Sequence, residues 1–151
     1  MTEAERDVAP ELNATIDGWN AVLGLRFVRA TASEVVVEWE VTPKHHQPYG
    51  IVHGGVHSAV IETVASVGAG IAAAPQAVVG LENHTSFLHA VREGRLRATA
   101  RPLTRGRRTQ VWEGTVTDAN GRTVATGRVR LLCLEPDAEL AGKTTGKNPR
   151  I

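Results

Sequence analysis

The chain has a single cysteine, Cys133, so no intrachain disulfide can form, and this usage fits a reducing cytosol. It has almost no net charge. Lys and Arg number 17 against 16 Asp and Glu, a formal +1, so there is no global pull towards nucleic acid or an anionic membrane. Any basic footprint must be local. Long apolar runs are missing too: the weakly polar stretch 64–75 is broken by Gly68 and Gly70 and falls short of the roughly 20 residues a membrane span needs. The opening Met1-Thr-Glu-Ala-Glu-Arg-Asp7 is polar and acidic, unlike a secretory leader. Neither an internal repeat nor a second domain is visible. The expectation is a cytoplasmic globular protein without nucleic-acid or membrane partners.

What is present is ordinary in amount, 42% apolar and 22% charged residues, enough for one domain with a real core. Leu12, Ile16, Trp19 and Leu23 fall near a helical period over 8–23, within limits set by Pro10 and Gly18. Residues 25–30 read as a short strand. In 33–42, Val35, Val37, Trp39 and Val41 alternate with Glu34, Val36, Glu38 and Glu40, a strand with one apolar and one largely acidic face. Residues 43–50 break the pattern. A helix is expected from Gly54 to about Ala73, stopped by Pro75. Four strands follow, at 78–88, 95–103, 109–118 and 122–134, separated by Glu93-Gly94, Arg105-Gly106 and Asp118-Ala-Asn-Gly121. The chain therefore divides into an N-terminal segment 1–20, a domain 21–135 and a polar tail 136–151 expected to be disordered. The fold class is α+β, with one long central helix against an antiparallel sheet of five to six strands.

The central helix is built from Ala, Val, Ile, Ser, Thr and Gly, yet carries one acid, Glu62. Ser58, Glu62 and Ser66 stand at i, i+4 and i+8, a polar seam on an apolar helix. At its start, Gly54-Gly55 expose backbone N–H groups at the positive end of the helix dipole, where they can polarise a carbonyl. A carboxylate two turns on can act as general base or nucleophile, so donors and acid together point to acyl transfer or hydrolysis. From the residues alone, a solvated Glu62 beside a plain turn carries equal weight, since lone acids on helices are common. His53 and His57 at i, i+4, with His45 and His46 nearby, raise a metal reading. The zinc-protease pattern places Glu directly after the first His, where this chain has Gly54, so no metal site is assigned.

Gln47, His53-Gly54-Gly55, Glu62 and Ser66, followed by Val79-Gly-Leu-Glu-Asn83, resemble the hot-dog-fold acyl-CoA thioesterases. The match is to the PaaI-like branch, which includes Arthrobacter-type 4-hydroxybenzoyl-CoA, menaquinone-pathway dihydroxynaphthoyl-CoA and enterobactin proofreading thioesterases. It covers roughly residues 20–134. The resemblance implies a hot-dog fold and hydrolysis of an acyl-CoA, with CoA as part of the substrate and no cofactor. It implies Glu62 as nucleophile or general base and Gly54 N–H as the carbonyl donor. Gln47 and His53 would flank the carbonyl, and Ser66 would help place water or the acyl group. It further implies a homo-oligomer, a dimer of hot dogs and then a tetramer, in which Glu62 faces Gln47 and His53 of the other subunit.

A second stretch, Pro102-Leu-Thr-Arg-Gly-Arg-Arg-Thr109, is a local cationic turn suited to phosphate. As a plain reading it is a solvated hairpin tip. The resemblance assigns CoA contacts to Thr104, Arg105, Gly106, Arg107, Arg108 and Thr109, and to Gly80, Phe87, Leu88, His89 and Ala90. Where the menaquinone-pathway pattern has His-Val-Arg-Ser, this chain has Phe87-Leu-His-Ala90. Cys133, Trp39 and Trp112 are expected in the core, and Trp19 and Leu23 are weaker candidates to cover the acyl pocket. One rival, a hot-dog hydratase acting on an enoyl or hydroxyacyl thioester, is disfavoured by the glycines directly after His53. Another, a non-catalytic acyl-CoA sensor, lacks a DNA-binding segment in its short acidic residues 1–20.

Overall fold

Strand alternation and a small-residue helix dictate the architecture seen in the computed structural model, which describes residues 5–145. Two short helices, α1 (Ala9–Ala14) and α2 (Gly18–Leu23), lead into strands β1 (Arg26–Ala30) and β2 (Val35–Glu40). A 3-10 turn, Pro43–His45, precedes the long helix α3 (Gly54–Ala73). Then come β3 (Val78–Phe87), β4 (Arg95–Arg105), β5 (Thr109–Thr117) and β6 (Thr123–Cys133). All neighbours in the six-stranded sheet are antiparallel, in the order β1-β2-β4-β5-β6-β3. The sheet wraps α3, the arrangement expected for a hot dog, with six strands present.

The inner face carries the alternation read from the sequence. Val35, Val37, Trp39, Leu96, Ala98, Ala100, Trp112, Val116, Val129 and Leu131 are buried around Val60, Ile61, Val64, Ala65 and Ala69 of α3. Small residues on both sides let helix and sheet approach closely. A Cβ on Gly68 would run into the Trp112 ring, and one on Gly114 would sit 3.0 Å from Ile61. Cross-strand ion pairs cover the outer face: Arg97–Glu38 at 2.8 Å, Arg128–Glu113 at 3.0 Å and Arg130–Glu82 at 3.2 Å, each joining residues paired in register. Val36, assigned to the acidic face, is nevertheless buried.

Two expectations are corrected. The 8–23 helix is two helices: the chain leaves the helical path at Thr15 and is extended at Asp17, and Gly18, at φ +55, opens the second helix. The N-terminal segment also bonds the sheet edge. Asp7 Oδ1 accepts from Ala30 N–H at 2.9 Å, and Asn13 both donates to Phe27 O and accepts from Phe27 N–H at 2.8 Å, which satisfies edge strand β1. In the tail, β7 (Glu139–Leu140) and β8 (Lys143–Thr144) form a small hairpin in place of disorder, and residues 146–151 lie outside the described part. Helix α3, Glu62 included, is also long and apolar enough to cross a membrane by length and composition, but it is the core helix, packed inside the sheet.

Candidate active site

The loop before α3 is fixed from several sides. His45 is buried. Its Nδ1 accepts from Thr42 N–H at 3.0 Å, its Nε2 bonds Leu23 O at 3.0 Å, and burial lowers its pKa. His53 N–H donates to His45 O at 2.8 Å, Val52 N–H to Val91 O at 2.8 Å, and Gln47 N–H to Ile51 O at 2.9 Å. Gly50, at φ +73, turns the chain back. Gln47 and His53 are thereby held at the start of α3.

His53 caps that helix. Its Nδ1 accepts from Gly55 N–H at 2.8 Å, which leaves the ring proton of the neutral imidazole on Nε2. Of the two glycine donors anticipated there, Gly55 is therefore occupied, and Gly54 N–H has no acceptor among the described residues. A cavity of about 320 Å³ opens at this end, lined by Gln47, Ile51, Val52, Gly54, His57, Phe87, Leu88, His89 and Ala90. The Gln47 carbonyl accepts from Tyr49 N–H, so its amide N–H groups remain as donors. A Cβ on Gly54 would lie 2.7 Å from the Phe87 ring, so only glycine leaves both the N–H and that ring in place.

Glu62 sits elsewhere. Eight residues along α3 put it about 12 Å from Gly54. Half-buried, it accepts from Asn83 Nδ2 at 3.0 Å, and Ser66 Oγ lies 3.5 Å from its other oxygen. Asn83 Nδ2 also donates to Ser58 O at 3.0 Å, tying β3 to the helix seam. Gly80 stands directly against the carboxylate, with no room for a Cβ, beside a register shift between Gly80 and Glu82. β3 is an edge strand and mostly exposed, so Glu62 faces an open side of the molecule.

The candidate CoA residues fall into two groups. Phe87 pairs with Ala125 and Thr109 with Leu132, so the 87–90 stretch and the 104–109 turn are separated by about 24 Å along β6. His89 Nδ1 donates to Thr123 O at 2.8 Å, leaving Nε2 as an acceptor at the cavity. Arg105 is committed to Ala32 O at 3.0 Å. The guanidiniums of Arg107 and Arg108 have no acceptor among the described residues. Gly106 makes the turn possible, since a Cβ there would lie 2.7 Å from Thr109 O.

Sequence reasoning considered His57 only as a metal-ligand candidate and Asn83 only as part of the matched motif, and gave Gln110 no role. His57 is 3% exposed, its Nδ1 is enclosed without a partner, and burial lowers its pKa to about 4. Its ring lies 6.3 Å from that of Phe87. No group of three or more His, Cys, Asp or Glu is placed to hold a metal ion among the described residues. Gln110 is buried, donates to Ala69 O at 3.2 Å and accepts from Trp112 Nε1 at 2.8 Å, with Cys133 Sγ at 3.6 Å. The core assignments of Cys133, Trp39 and Trp112 agree with their burial. Leu23 is buried in the core and Trp19 is exposed, and neither lines the cavity.

Residues 49–125 match the family described as the Thioesterase superfamily. The chain is 40% identical over 133 residues to Rv1847 of Mycobacterium tuberculosis, which is named as an esterase, covering 85% of this chain and 94% of that one. It is 37% identical over 112 residues to a 1,4-dihydroxy-2-naphthoyl-CoA hydrolase of Listeria monocytogenes, covering 74% and 91%. Among solved structures, the thioesterase HI1161 of Haemophilus influenzae superposes with a TM-score of 0.81 at 26% identity, covering 89% of this chain and 96% of that one.

Proposed function

Because the chain belongs to the thioesterase superfamily and is a thioester hydrolase, we propose that it cleaves an acyl-CoA to the free acid and CoA. The observation that carries this reading is the unpartnered Gly54 N–H, set at the N-terminus of a long helix in a cavity that Gln47 also lines, with His53 as the helix cap. A thioester oxygen placed there accepts from Gly54 N–H, with the Gln47 amide and His53 Nε2–H flanking it.

The acid comes from a second copy of the chain. Reacting atoms must approach to about 3–3.5 Å, whereas Glu62 lies about 12 Å from Gly54 along its own helix and is held on Asn83 and Ser66. This separation supports a homodimer in which the partner subunit's Glu62 faces the Gly54 cavity, and pairs of such dimers would form the tetramer. The same division explains the split CoA residues. The 87–90 stretch flanks the pantetheine beside its own cavity, and the Arg107-Arg108 turn of the other subunit takes the nucleotide phosphates.

Two routes are open to the carboxylate. Glu62 attacks the carbonyl carbon as the C–S bond breaks, and water then cleaves the acyl–glutamyl anhydride. Alternatively, Glu62 takes a proton from a water that attacks the same carbon. Either way the thiolate leaving group is protonated and one water is consumed. Ser66 steadies the carboxylate, and the absent Cβ of Gly80 leaves it room. No cofactor is required.

The acyl group is aromatic or medium-chain, a range that the likeness to a dihydroxynaphthoyl-CoA hydrolase supports at its aromatic end. The enzyme acts on this substrate in the cytosol. A thiol-release assay over benzoyl-, dihydroxynaphthoyl-, phenylacetyl- and fatty acyl-CoAs tests the reading. CoA release from at least one is expected, and release from none would overturn it.

A further inference from the structure

Buried polar side chains in folded proteins are almost always hydrogen-bonded. His45 and Gln110 follow this rule with both ends of their polar groups engaged. His57 does not. Its side chain lies at the wall of the cavity, 3% exposed, its Nδ1 has no partner, and neither ring nitrogen is bonded by a described group. Trp39 Nε1 is also enclosed and unpartnered, but Trp39 does not line this cavity. The imidazole is held neutral by burial, so it can donate from one nitrogen and accept at the other.

We propose that His57 is a specificity-determining residue whose imidazole hydrogen-bonds a hydroxyl, or a similar polar substituent, carried by the acyl group. The inference rests on the acyl-CoA reading above. His57 is three residues beyond Gly54, about 4.5 Å along the helix, so the bonded group lies close to one helical turn from the thioester carbonyl. The direction of the substrate follows from size. The CoA nucleotide must remain outside, so pantetheine passes the exposed end, where Phe87 is 57% and Leu88 50% exposed. The acyl group then takes the enclosed end, where His57 lies. A wholly apolar acyl group would leave the imidazole unpaired, whereas one with a hydroxyl at the right distance completes it.

The test compares kcat/KM within pairs of CoA thioesters that differ by a single hydroxyl: benzoyl against its three monohydroxy isomers, and hexanoyl against 3-hydroxyhexanoyl. The wild type is expected to favour one hydroxylated member by on the order of 10- to 100-fold. His57→Phe is expected to collapse that ratio towards one, and His57→Gln to restore part of it. Loss of the same factor from both members in His57→Phe would overturn the proposal, because a contact to pantetheine or a purely structural role acts on both alike. If His57→Phe does not fold, the imidazole 15N shifts of the wild type replace it: they should move on adding the favoured hydroxy acid and stay put with its unsubstituted analogue, and equal movement would overturn the proposal. Wild-type cleavage without preference in any pair sinks this inference alone. Cleavage of none of these thioesters sinks the acyl-CoA reading as well.

Discussion

The two halves of α3 handle polarity in opposite ways. Over its C-terminal half, Gly68 lets the Trp112 ring lie against the helix, and Gln110 bonds both the Ala69 carbonyl and Trp112 Nε1. At its N-terminal end, the Gly54 N–H, the Gln47 amide N–H groups and the His57 ring have no partner among the described residues, and a cavity lies beside them. Paired polar groups anchor the helix to the sheet, whereas the unpaired ones border the cavity where the proposed substrate binds. Glu62 sits between, oriented by Asn83 but open along edge strand β3. On the proposed mechanism, one helix serves as anchor, donor site and acid at successive turns.

This contrast is most easily broken at Glu62. Glu62→Gln should lower kcat by about 10³-fold or more while leaving the melting temperature nearly unchanged, because the carboxylate is half-exposed and, on the proposed mechanism, serves chemistry rather than packing. Steady-state kinetics beside a thermal melt check this, and full activity would remove the acid from the mechanism.

The next largest effect is on stability against pH. His57 titrates near 6.5 in the unfolded chain and about 4 in the fold, so as pH falls the unfolded chain binds the proton first. Stability is full above about 6.5 and is lost as pH drops towards 4, by on the order of 3 kcal/mol. His45, lowered by burial in the same direction, adds to the loss. Denaturant titrations at several pH values should show the decline, and His57→Phe should flatten it.

Smaller substitutions separate the two halves of the helix. Gly68→Ala forces a Cβ into the Trp112 ring and should cost about 1–3 kcal/mol. Gly54→Ala meets the half-exposed Phe87, which can swing away, so it should cost little stability but cut activity as that ring crosses the cavity. A melt and an assay on each variant should give opposite patterns. Finally, Asn83→Ala should lower kcat by about tenfold through a misplaced Glu62. Asn83→Asp sets a second carboxylate beside Glu62 and should move the acid limb of the pH–rate profile upward.

Much of this fold was readable in the residues. Alternation set the inner faces of β2 and β4, although Val36 on the outer face of β2 is buried too, and glycine or proline marked the ends of α3 and the hairpins, so those elements lie within a residue or two of expectation. Gly18 was visible as a limit, but the break ahead of it at Thr15 to Asp17, which parts the two helices, was not. The site was legible as a set of residue types and not as an arrangement. Nothing local says that His53 takes up the Gly55 donor, or that Asn83 reaches Glu62 from 21 residues away. His57 was read only as a metal-ligand candidate, because its meaning lies in a missing partner, which only three dimensions reveal.

The most direct test of the central claim is subunit complementation. One variant carries Glu62→Ala, and the other carries Gln47→Ala with His53→Ala. Each alone should be nearly inactive. Refolded together in equal amounts, half of the dimers are mixed, and each mixed dimer holds one intact site, so about one quarter of the wild-type activity should return. A mixture as inactive as its parents would contradict a site shared between subunits and return Glu62, Gln47 and His53 to a single chain.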